Sequence, residues 1–243
     1  MTEQPNLRTE TLTAQPFTLA CNQLLQRGEH ALIGVSPGNG YFTQDRLAGL
    51  LDWAQQRFDR VDIVYTDLHL SCLHEANGCS PDHAQARAKR SVKDTLRRLR
   101  RAVERLPSAD KVHLQALSAC TALPGYQSAR QHLDHALETD QRFANACDTH
   151  VRHLLGPERP ATSATMARYQ AALAYLRAEL PLLLRSPEVF GVPSSVCCYH
   201  SVLPVLRALH HMPHFHHPAQ GHAVVRPALT QPDQTADTTG PTQ

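Results

Sequence analysis

Short, nearly continuous apolar runs alternate along the chain with longer segments whose apolar residues recur every three or four positions. The short runs are typical of strands buried on both faces of a parallel sheet, and the longer segments are typical of amphipathic helices. The predicted strands are residues 31–35, 61–65, 112–117, 195–199 and 223–226. The predicted helices are residues 44–58, 82–105, 129–155, 164–184 and a shorter one at 202–209. This alternation predicts an α/β fold in which helices flank a central, mostly parallel sheet.

The two ends of the chain are polar and set the expected limits of a single domain over residues 16–229. Residues 1–15 are expected to be a flexible N-terminal arm, and residues 230–243 a disordered tail. The N-terminal stretch lacks the apolar core of a secretory signal, and the longest apolar runs are too short to span a bilayer. The seven cysteines form no CxxC pair and are odd in number, which argues against a zinc site and a disulfide framework. We therefore expect a cytoplasmic protein with reduced thiols and no membrane association.

The predicted helix 82–105 concentrates positive charge, although the net charge of the whole chain is only +2. Nine basic residues lie between positions 87 and 105, where only Asp94 and Glu104 oppose them. Apolar residues recur on one face of this helix and are expected to pack on the body of the protein: Val92, Leu96, Leu99 and Val103. The arginine-rich face suits the binding of phosphate groups, with an ordinary solvated helix face as the alternative.

Ser36 follows the first predicted strand and begins the turn Ser-Pro-Gly-Asn-Gly. The carboxyl ends of strands are where ligands bind in open α/β sheets. Residues 34–38 match the G-x-S-x-G pattern of serine hydrolases, but Pro37 lacks the backbone N–H that would help to bind an oxyanion there. A phosphate-binding loop is a weak match, because the Gly-Lys-Ser/Thr ending is missing. A serine that caps the next helix is the remaining alternative.

Two motifs resemble those of the cyclodipeptide synthases. Residues 30–36 read His, any residue, two aliphatics, Gly, an aliphatic and Ser, and they resemble the first motif of that family. Far downstream, residues 175–181 read Tyr, an aliphatic, two variable positions, Glu, one variable position and Pro, and they resemble the second motif. The resemblance extends over about residues 27–227.

Further positions resemble the branch of the family that has Asn after the nucleophile. Asn39, Tyr199 and residues 192–195 lie where that branch would have them, whereas His200 stands where many members carry Gln. The resemblance implies a Rossmann-like fold similar to the catalytic domain of class I tyrosyl- and tryptophanyl-tRNA synthetases. It also implies a monomeric aminoacyltransferase that needs neither ATP nor a cofactor, because aminoacyl-tRNA is already an activated ester.

The resemblance implies a ping-pong reaction that makes a 2,5-diketopiperazine from two aminoacyl-tRNAs. Ser36 would form an aminoacyl-enzyme, a second aminoacyl-tRNA would extend it to a dipeptidyl-enzyme, and the free amine would attack the ester to release the ring. Tyr175 and Glu179 are four residues apart and share one helix face. By resemblance they bind the substrate amino group and help to move its proton. Tyr199 would hydrogen-bond near the reacting carbonyl, and Asn39 completes the expected catalytic set.

The resemblance also implies two side-chain pockets and a tRNA-binding surface. The expected pocket for the first aminoacyl group is apolar, suiting Leu, Phe or Met, and consists of Leu32, Gly34, Val64, Leu117, Leu182, Leu183 and Cys197. His150 and His153 would line the second site and hint at a more polar or aromatic residue there. The expected tRNA contacts on the basic helix are Arg90, Lys93, Arg97, Arg98, Arg100 and Arg101.

The histidine-rich segment 210–222 contains two prolines and no Cys or acidic ligand, so it is expected to be a loop rather than a catalytic metal site. No metal is expected. Two functions stay open beside the cyclodipeptide synthase: a serine hydrolase that uses Ser36, and a tRNA-binding protein of the same fold without catalysis. The identity of the two amino acids is not fixed by these residues.

Overall fold

A computed structural model describes residues 11–156 and 162–228 of the chain. Its sheet has six strands in the order β1-β6-β5-β2-β3-β4. All neighbouring pairs are parallel except β1 with β6. The predicted fold class is therefore confirmed. The strands are β1 (Leu12–Pro16), β2 (His30–Val35), β3 (Arg60–Tyr65), β4 (Val112–Ala116), β5 (Ser195–Tyr199) and β6 (Gln220–Pro227).

Helices cover both faces of the sheet. They are α1 (Leu19–Arg27), α2 (Gln44–Gln55), α3 (Leu70–Ala76), α4 (Pro81–Val103), α5 (Leu117–Cys120), α6 (Pro124–Thr139), α7 (Gln141–Leu155), α8 (Ser163–Phe190) and α9 (Pro204–Leu209), with a 3-10 turn at Pro213–Phe215. Ala31 and Ile33 of β2 point into a core shared with α2 and α4, and Leu32 points into the opposite core with α6 to α9. No helix of the described ranges has the length and apolar character needed to cross a bilayer.

The strand order reverses at the centre of the sheet, and this reversal positions the site. The chain runs from β2 to β3 and β4 on one side, whereas β5 and β6 lie on the other side of β2. Ser36 follows β2 directly, and Tyr199 ends β5. Because the connections from these neighbouring strands lead to opposite sides of the sheet at such a switch point, a crevice opens beyond the carboxyl ends of the strands. Both residues therefore lie at this crevice.

The expected flexible arm is wrong for residues 12–15, which belong to strand β1. This strand pairs antiparallel with β6, with Leu12 opposite Pro227 and Pro16 opposite Ala223. Its burial alternates along the strand, as for an edge strand with one solvated face. The sequence did not reveal it, because five residues carry little pattern and their partner lies at the other end of the domain. Residues 1–10 and the expected tail at 230–243 lie outside the described residues.

The predicted single helix 129–155 is two helices, α6 and α7. Asp140 adopts an extended conformation (φ −113°, ψ 110°), which ends α6. Its carboxylate accepts hydrogen bonds from the N–H groups of Arg142 and Phe143 and thereby caps α7. The apolar periodicity continues across the break, so the sequence pattern alone did not show it. Helices α1 and α3 were also absent from the prediction.

Helix α8 extends past the predicted end at residue 184 and bends at Arg185 (φ −141°, ψ 30°). Pro187 follows two residues later, whereas Pro181 lies within the helical region. The bend leaves carbonyl groups without helical partners. The carbonyl of Leu183 accepts a hydrogen bond from His222 Nε2 at 2.8 Å. The carbonyl of Leu184 accepts one from the backbone N–H of His217 at 2.9 Å.

The histidine-rich segment thus closes the bend of α8 and continues into strand β6, which begins at Gln220 rather than at residue 223. Burial lowers the pKa of His216 and that of His222 to about 4, so both rings are neutral at physiological pH. Within the described ranges, no group of three or more His, Cys, Asp or Glu residues is arranged to hold a metal ion.

Candidate active site

A tight turn presents Ser36 at the carboxyl end of β2. The N–H of Asn39 donates to the carbonyl of Ser36 at 3.2 Å. Gly38 has a φ of +82°, as the third position of a type II turn requires, and Pro37 is a residue favoured at the second position. The side chain of Asn39 accepts a hydrogen bond from the N–H of Tyr41 at 2.9 Å and donates to Tyr199 Oη at 3.3 Å. The Pro-Gly pair therefore places both the serine and the Asn39 amide beside the end of β5.

Tyr175 is the hydrogen-bond partner of the serine. Its hydroxyl donates to Ser36 Oγ at 3.2 Å, and its side chain is buried. Burial, reinforced by the nearby Glu179 carboxylate, raises the pKa of Tyr175 well above its usual value. The phenol therefore stays protonated and acts as a donor. Ser36 Oγ accepts this bond, so its own hydrogen can be donated to a neighbouring oxygen, a substrate or a base.

Glu179 lies one helical turn after Tyr175 and faces the same space. Thr66, which follows β3 directly, donates a hydrogen bond from its hydroxyl to Glu179 Oε1 at 2.7 Å. Burial raises the pKa of Glu179, while hydrogen bonds from Thr66 and Tyr175 oppose the rise. A carboxylate of this kind can hold an ammonium group and can also take a proton from it.

Tyr199, at the end of β5, also lies beside Ser36 in the site. Burial is the main cause that raises the pKa of Tyr199 to about 12, with a contribution from the Glu179 charge. Hydrogen bonding to Ser36 and Asn39 opposes this shift. Tyr199 is therefore a neutral phenol that can donate a hydrogen bond. The structure brings together all five residues that the sequence singled out for catalysis: Ser36, Asn39, Tyr175, Glu179 and Tyr199.

These residues line a cavity of about 420 Å³. Its wall includes all seven residues expected to form the apolar pocket: Leu32, Gly34, Val64, Leu117, Leu182, Leu183 and Cys197. His150 also lines the cavity and is buried. His153 does not belong to the lining and is exposed. The expectation for His153 is therefore corrected: on α7 the cavity side continues from His150 to Leu154, which leaves His153 facing outward.

Thr66 and Arg168 also line the cavity, and sequence reasoning missed both. Each had a usable signal. Thr66 comes directly after a predicted strand, at the edge of the sheet where Ser36 lies. Arg168 is seven residues before Tyr175 on the predicted helix, and a spacing of seven returns to the same helix face.

The basic face of α4 is mostly exposed, with one exception among the residues expected to contact tRNA. Arg98 is partly buried and donates hydrogen bonds to the carbonyl of Phe42 at 2.8 Å and to Thr95 Oγ1 at 3.3 Å. It therefore fastens α4 to the loop after the nucleophile turn. The exposed members are Arg90, Lys93, Arg97, Arg100 and Arg101. The face that packs on the body includes Leu99 as predicted, and Val92 and Val103 are partly buried against neighbouring core residues. The fully buried residues of the helix also include Ala84, Ala88, Thr95 and Ala102.

His30 lies at the opposite end of β2 from the nucleophile. Its ring is buried, with Nδ1 2.7 Å from Ser195 Oγ and Nε2 3.0 Å from Asp62 Oδ2. Arg60 Nε donates to the same Asp62 oxygen at 2.6 Å, and Gln115 donates to the other at 2.8 Å. These bonds join β2, β3, β4 and β5. His30 therefore supports the sheet that carries the site and does not contact Ser36.

The arrangement argues against a serine hydrolase. Within the described part of the chain, no histidine forms a hydrogen bond with Ser36, so the base of a Ser-His pair is missing. Pro37 cannot supply the oxyanion N–H that the hydrolase elbow uses. The site instead offers neutral phenol donors and one carboxylate around the serine, beside an apolar chamber. This combination suits an ester substrate that carries an amino group.

Comparison with known proteins agrees with this geometry. Residues 12–227 match the family model described as cyclodipeptide synthase. The chain is 41% identical over 215 residues to the cyclo(L-leucyl-L-phenylalanyl) synthase of Streptomyces noursei, covering 87% of this chain and 88% of that protein. It is 35% identical over 222 residues to the cyclo(L-tyrosyl-L-tyrosyl) synthase of Mycobacterium tuberculosis, covering 90% of this chain and 77% of that protein.

Solved structures give the same result. A crystal structure of a cyclo(L-leucyl-L-phenylalanyl) synthase superposes with a TM-score of 0.83 at 38% identity, covering 89% of this chain and 99% of that one. A Mycobacterium tuberculosis structure superposes with a TM-score of 0.81 at 34% identity, covering 90% of this chain and 94% of that one. That structure is described as demonstrating that cyclodipeptide synthetases are related to type I tRNA synthetases.

Proposed function

Because the chain belongs to the cyclodipeptide synthase family, we propose that it makes a 2,5-diketopiperazine from two aminoacyl-tRNAs, with Ser36 as the nucleophile. The observation that carries the proposal is the bond from Tyr175 Oη to Ser36 Oγ, 3.2 Å long, at the mouth of an apolar chamber. It aims a serine oxygen at the place where the ester of a bound aminoacyl group would lie.

In the first step, Ser36 Oγ attacks the ester carbon of the first aminoacyl-tRNA. A bond forms between Oγ and this carbon, the bond from the carbon to the ribose oxygen breaks, and the hydroxyl proton ends on the departing ribose oxygen. The phenols of Tyr175 and Tyr199 are neutral donors and stabilise the developing negative charge. Glu179 holds the amino group of the substrate. The ester of the aminoacyl-tRNA is already activated, so the step needs no ATP.

In the second step, the amine of the aminoacyl-enzyme attacks the ester carbon of a second aminoacyl-tRNA and releases that tRNA. The Glu179 carboxylate, whose pKa burial raises above its usual value, takes the proton that the amine loses and passes it to the departing ribose oxygen. The new terminal amine then attacks the ester on Ser36. The second peptide bond closes the ring, and the proton returns to Ser36 Oγ. The protein is thus an aminoacyltransferase with a ping-pong scheme.

The composition of the cavity supports an apolar first substrate such as Leu, Phe or Met. The wall that continues from β2, β3 and β5 is aliphatic or small: Leu32, Gly34, Val64 and Cys197. Leu117, Leu182 and Leu183 complete it. Discrimination by one methylene in such a chamber amounts to only about 1–3 kcal/mol, so several products are expected.

The exposed basic face of α4 is the proposed tRNA-binding surface. Its arginines and lysines can neutralise backbone phosphates, and the resulting affinity falls steeply with salt. We further propose that the protein acts as a monomer in the cytoplasm, where aminoacyl-tRNA is made. All seven cysteines are free thiols, which supports a reducing compartment.

The test supplies the purified protein with pre-charged aminoacyl-tRNAs, without ATP or synthetases, and measures cyclic dipeptides by mass spectrometry. We expect products from the unchanged chain and none from Ser36→Ala. Ser71→Ala, a partly buried serine outside the cavity lining, is the matched control and should keep its activity. A serine hydrolase would yield only free amino acids, and a non-catalytic tRNA-binding protein would bind the tRNA without forming product.

A further inference from the structure

Strand β6 carries two polar side chains that bind α8 on either side of its bend at Arg185. Gln220 Oε1 accepts hydrogen bonds from the backbone N–H of Ser186 at 2.9 Å and from its hydroxyl at 2.6 Å. His222 Nε2 donates to the carbonyl of Leu183 at 2.8 Å. The two side chains are two positions apart on the strand, so they point to the same face of the sheet. We call this pair, Gln220 and His222, the bend clamp.

The bonds of the bend clamp are buried. Gln220, His222 and Ser186 all lie in the interior. Burial lowers the pKa of His222 to about 4, so the ring is neutral, and its Nε2 carries the hydrogen because a carbonyl group can only accept. Removing one of these bonds leaves a buried backbone group without a partner, which is unfavourable. The backbone of α8 at the bend is therefore held in place by two side chains of β6 that no step of the proposed reaction uses.

The bend clamp is continuous with the wall of the apolar chamber. Leu32 on β2, Cys197 on β5 and His222 on β6 are in register across the three parallel strands, so their side chains point to one face of the sheet. The first two line the chamber. The third binds the backbone of Leu183, whose own side chain also lines the chamber. The clamp thus lies one strand beyond the wall and holds the bend of α8 against the sheet.

We propose that the bend clamp, Gln220 and His222, determines which side chain the apolar chamber accepts, although neither residue lines it. By holding the backbone of α8 at the bend, the clamp keeps the side chains of Leu182 and Leu183 at a fixed distance from the sheet. A chamber with a fixed wall rejects a side chain that is too large, whereas a wall that yields accepts it. The inference rests on the proposed function and adds two positioning residues to its first substrate site.

The experiment measures which of two amino acids is transferred to Ser36. Leucyl-tRNA and phenylalanyl-tRNA are supplied together in equal amounts with the protein in excess. The reaction is quenched in acid while little of either tRNA has reacted, and the masses of the two aminoacyl-enzymes give the ratio of their rates. His222→Leu removes the donor and should raise the ratio of phenylalanyl- to leucyl-enzyme at least about fivefold, which is less than one methylene contributes to selectivity in an apolar pocket.

Three further variants complete the experiment, each compared with the unchanged chain on the same two tRNAs. His222→Gln keeps an N–H donor at about the position of Nε2 and should keep the original ratio. His211→Leu changes an exposed histidine of the same segment and should also keep it. Gln220→Met removes the acceptor for Ser186 and should shift the ratio in the same direction and by a similar factor as His222→Leu. It decides the test if His222→Leu does not fold.

The outcomes separate the inference from the function on which it rests. A shift of less than about fivefold in either clamp variant that folds, or a shift toward leucyl, would overturn the inference and leave the proposed function standing. The same holds if His222→Gln behaves like His222→Leu, because the ring and not its hydrogen bond would then matter. If the unchanged chain forms no aminoacyl-enzyme with either tRNA, the proposed function is overturned and the inference with it.

Discussion

Thr66→Val should shift the pH dependence of product formation. The hydroxyl of Thr66 donates a hydrogen bond to Glu179 Oε1 at 2.7 Å. This bond is one of two that lower the pKa of the Glu179 carboxyl group, against the effect of burial, which raises it. A hydrogen bond to a charged group is worth about 1.5–3 kcal/mol, which corresponds to about 1–2 pKa units. Valine has nearly the same shape as threonine, so the buried site stays filled. Removing the hydroxyl should therefore raise the pKa of Glu179 further.

The direction of the effect follows from the ionised state that the reaction needs. Glu179 must be a carboxylate to hold the ammonium of the substrate, so activity is lost as pH falls through its pKa. The acidic side of the pH–rate profile should move upward by about 1–2 pH units in Thr66→Val. The assay measures initial rates of cyclic dipeptide formation from pH 5.5 to 9, with the tRNA charged beforehand and checked for hydrolysis at each pH.

Two further variants complete this test. Thr66→Ser keeps a hydroxyl and should retain the profile of the unchanged chain. Thr121→Val removes a bond from a threonine hydroxyl to the carbonyl of Ser118 at 2.7 Å, outside the catalytic cavity, and should also leave the profile unchanged. If the acidic side of the pH–rate profile of Thr66→Val stays where it is in the unchanged chain, this bond does not control the ionisation of Glu179.

Three further predictions concern the nucleophile, the sheet and the basic helix. Tyr175→Phe removes a neutral hydrogen bond worth about 0.5–1.5 kcal/mol, so kcat should fall by at least about 2- to 12-fold; an unchanged kcat would exclude this tyrosine from the chemistry. Asp62→Asn replaces a buried carboxylate that accepts hydrogen bonds from His30, Arg60 and Gln115, and should cost about 1.5–3 kcal/mol of unfolding free energy at pH 7, measured by urea denaturation. Burial raises the pKa of Asp62, but hydrogen bonding from His30 outweighs burial and keeps this pKa below its usual value. The stabilisation is therefore fully present at pH values above the pKa of Asp62 in the unfolded chain. It disappears as the pH falls through the lower pKa of Asp62 in the folded protein. Arg97→Ala and Arg101→Ala should each reduce the salt dependence of tRNA affinity by about one unit of log–log slope, and unchanged slopes would remove them from the interface.

The sequence pattern predicted the parts of the fold that have strong local signals. The four central strands contain nearly continuous apolar runs, and their carboxyl ends identified the edge of the sheet where Ser36 and Tyr199 meet. The spacing of four between Tyr175 and Glu179 placed both on one face of α8, which was correct. These features depend on residues close together in the chain, so the periodicity of apolar residues was sufficient to predict them.

The features that the sequence did not reveal depend on distant partners or on single residues. Strand β1 exists because it pairs with β6, more than 200 residues away. The break at Asp140 comes from one capping carboxylate within an otherwise continuous helical pattern. Arg98 was grouped with the exposed basic residues, but its guanidinium reaches the carbonyl of Phe42, a contact that only the docked position of α4 creates. The expectation for His153 was wrong because the cavity side of α7 runs from His150 to Leu154, a spacing of four, so that the side chain three positions after His150 faces outward.

If Ser36 carries the first aminoacyl group, the mass of the intact protein must increase during the reaction. The chain is mixed with leucyl-tRNA alone, quenched in acid within seconds and measured by mass spectrometry, with peptide mapping of the modified position. We expect a gain of one leucyl group on the peptide that contains Ser36, and no gain in Ser36→Ala. Cyclic dipeptide formation by Ser36→Ala at the rate of the unchanged chain, or an adduct on another residue, would show that Ser36 is not the nucleophile.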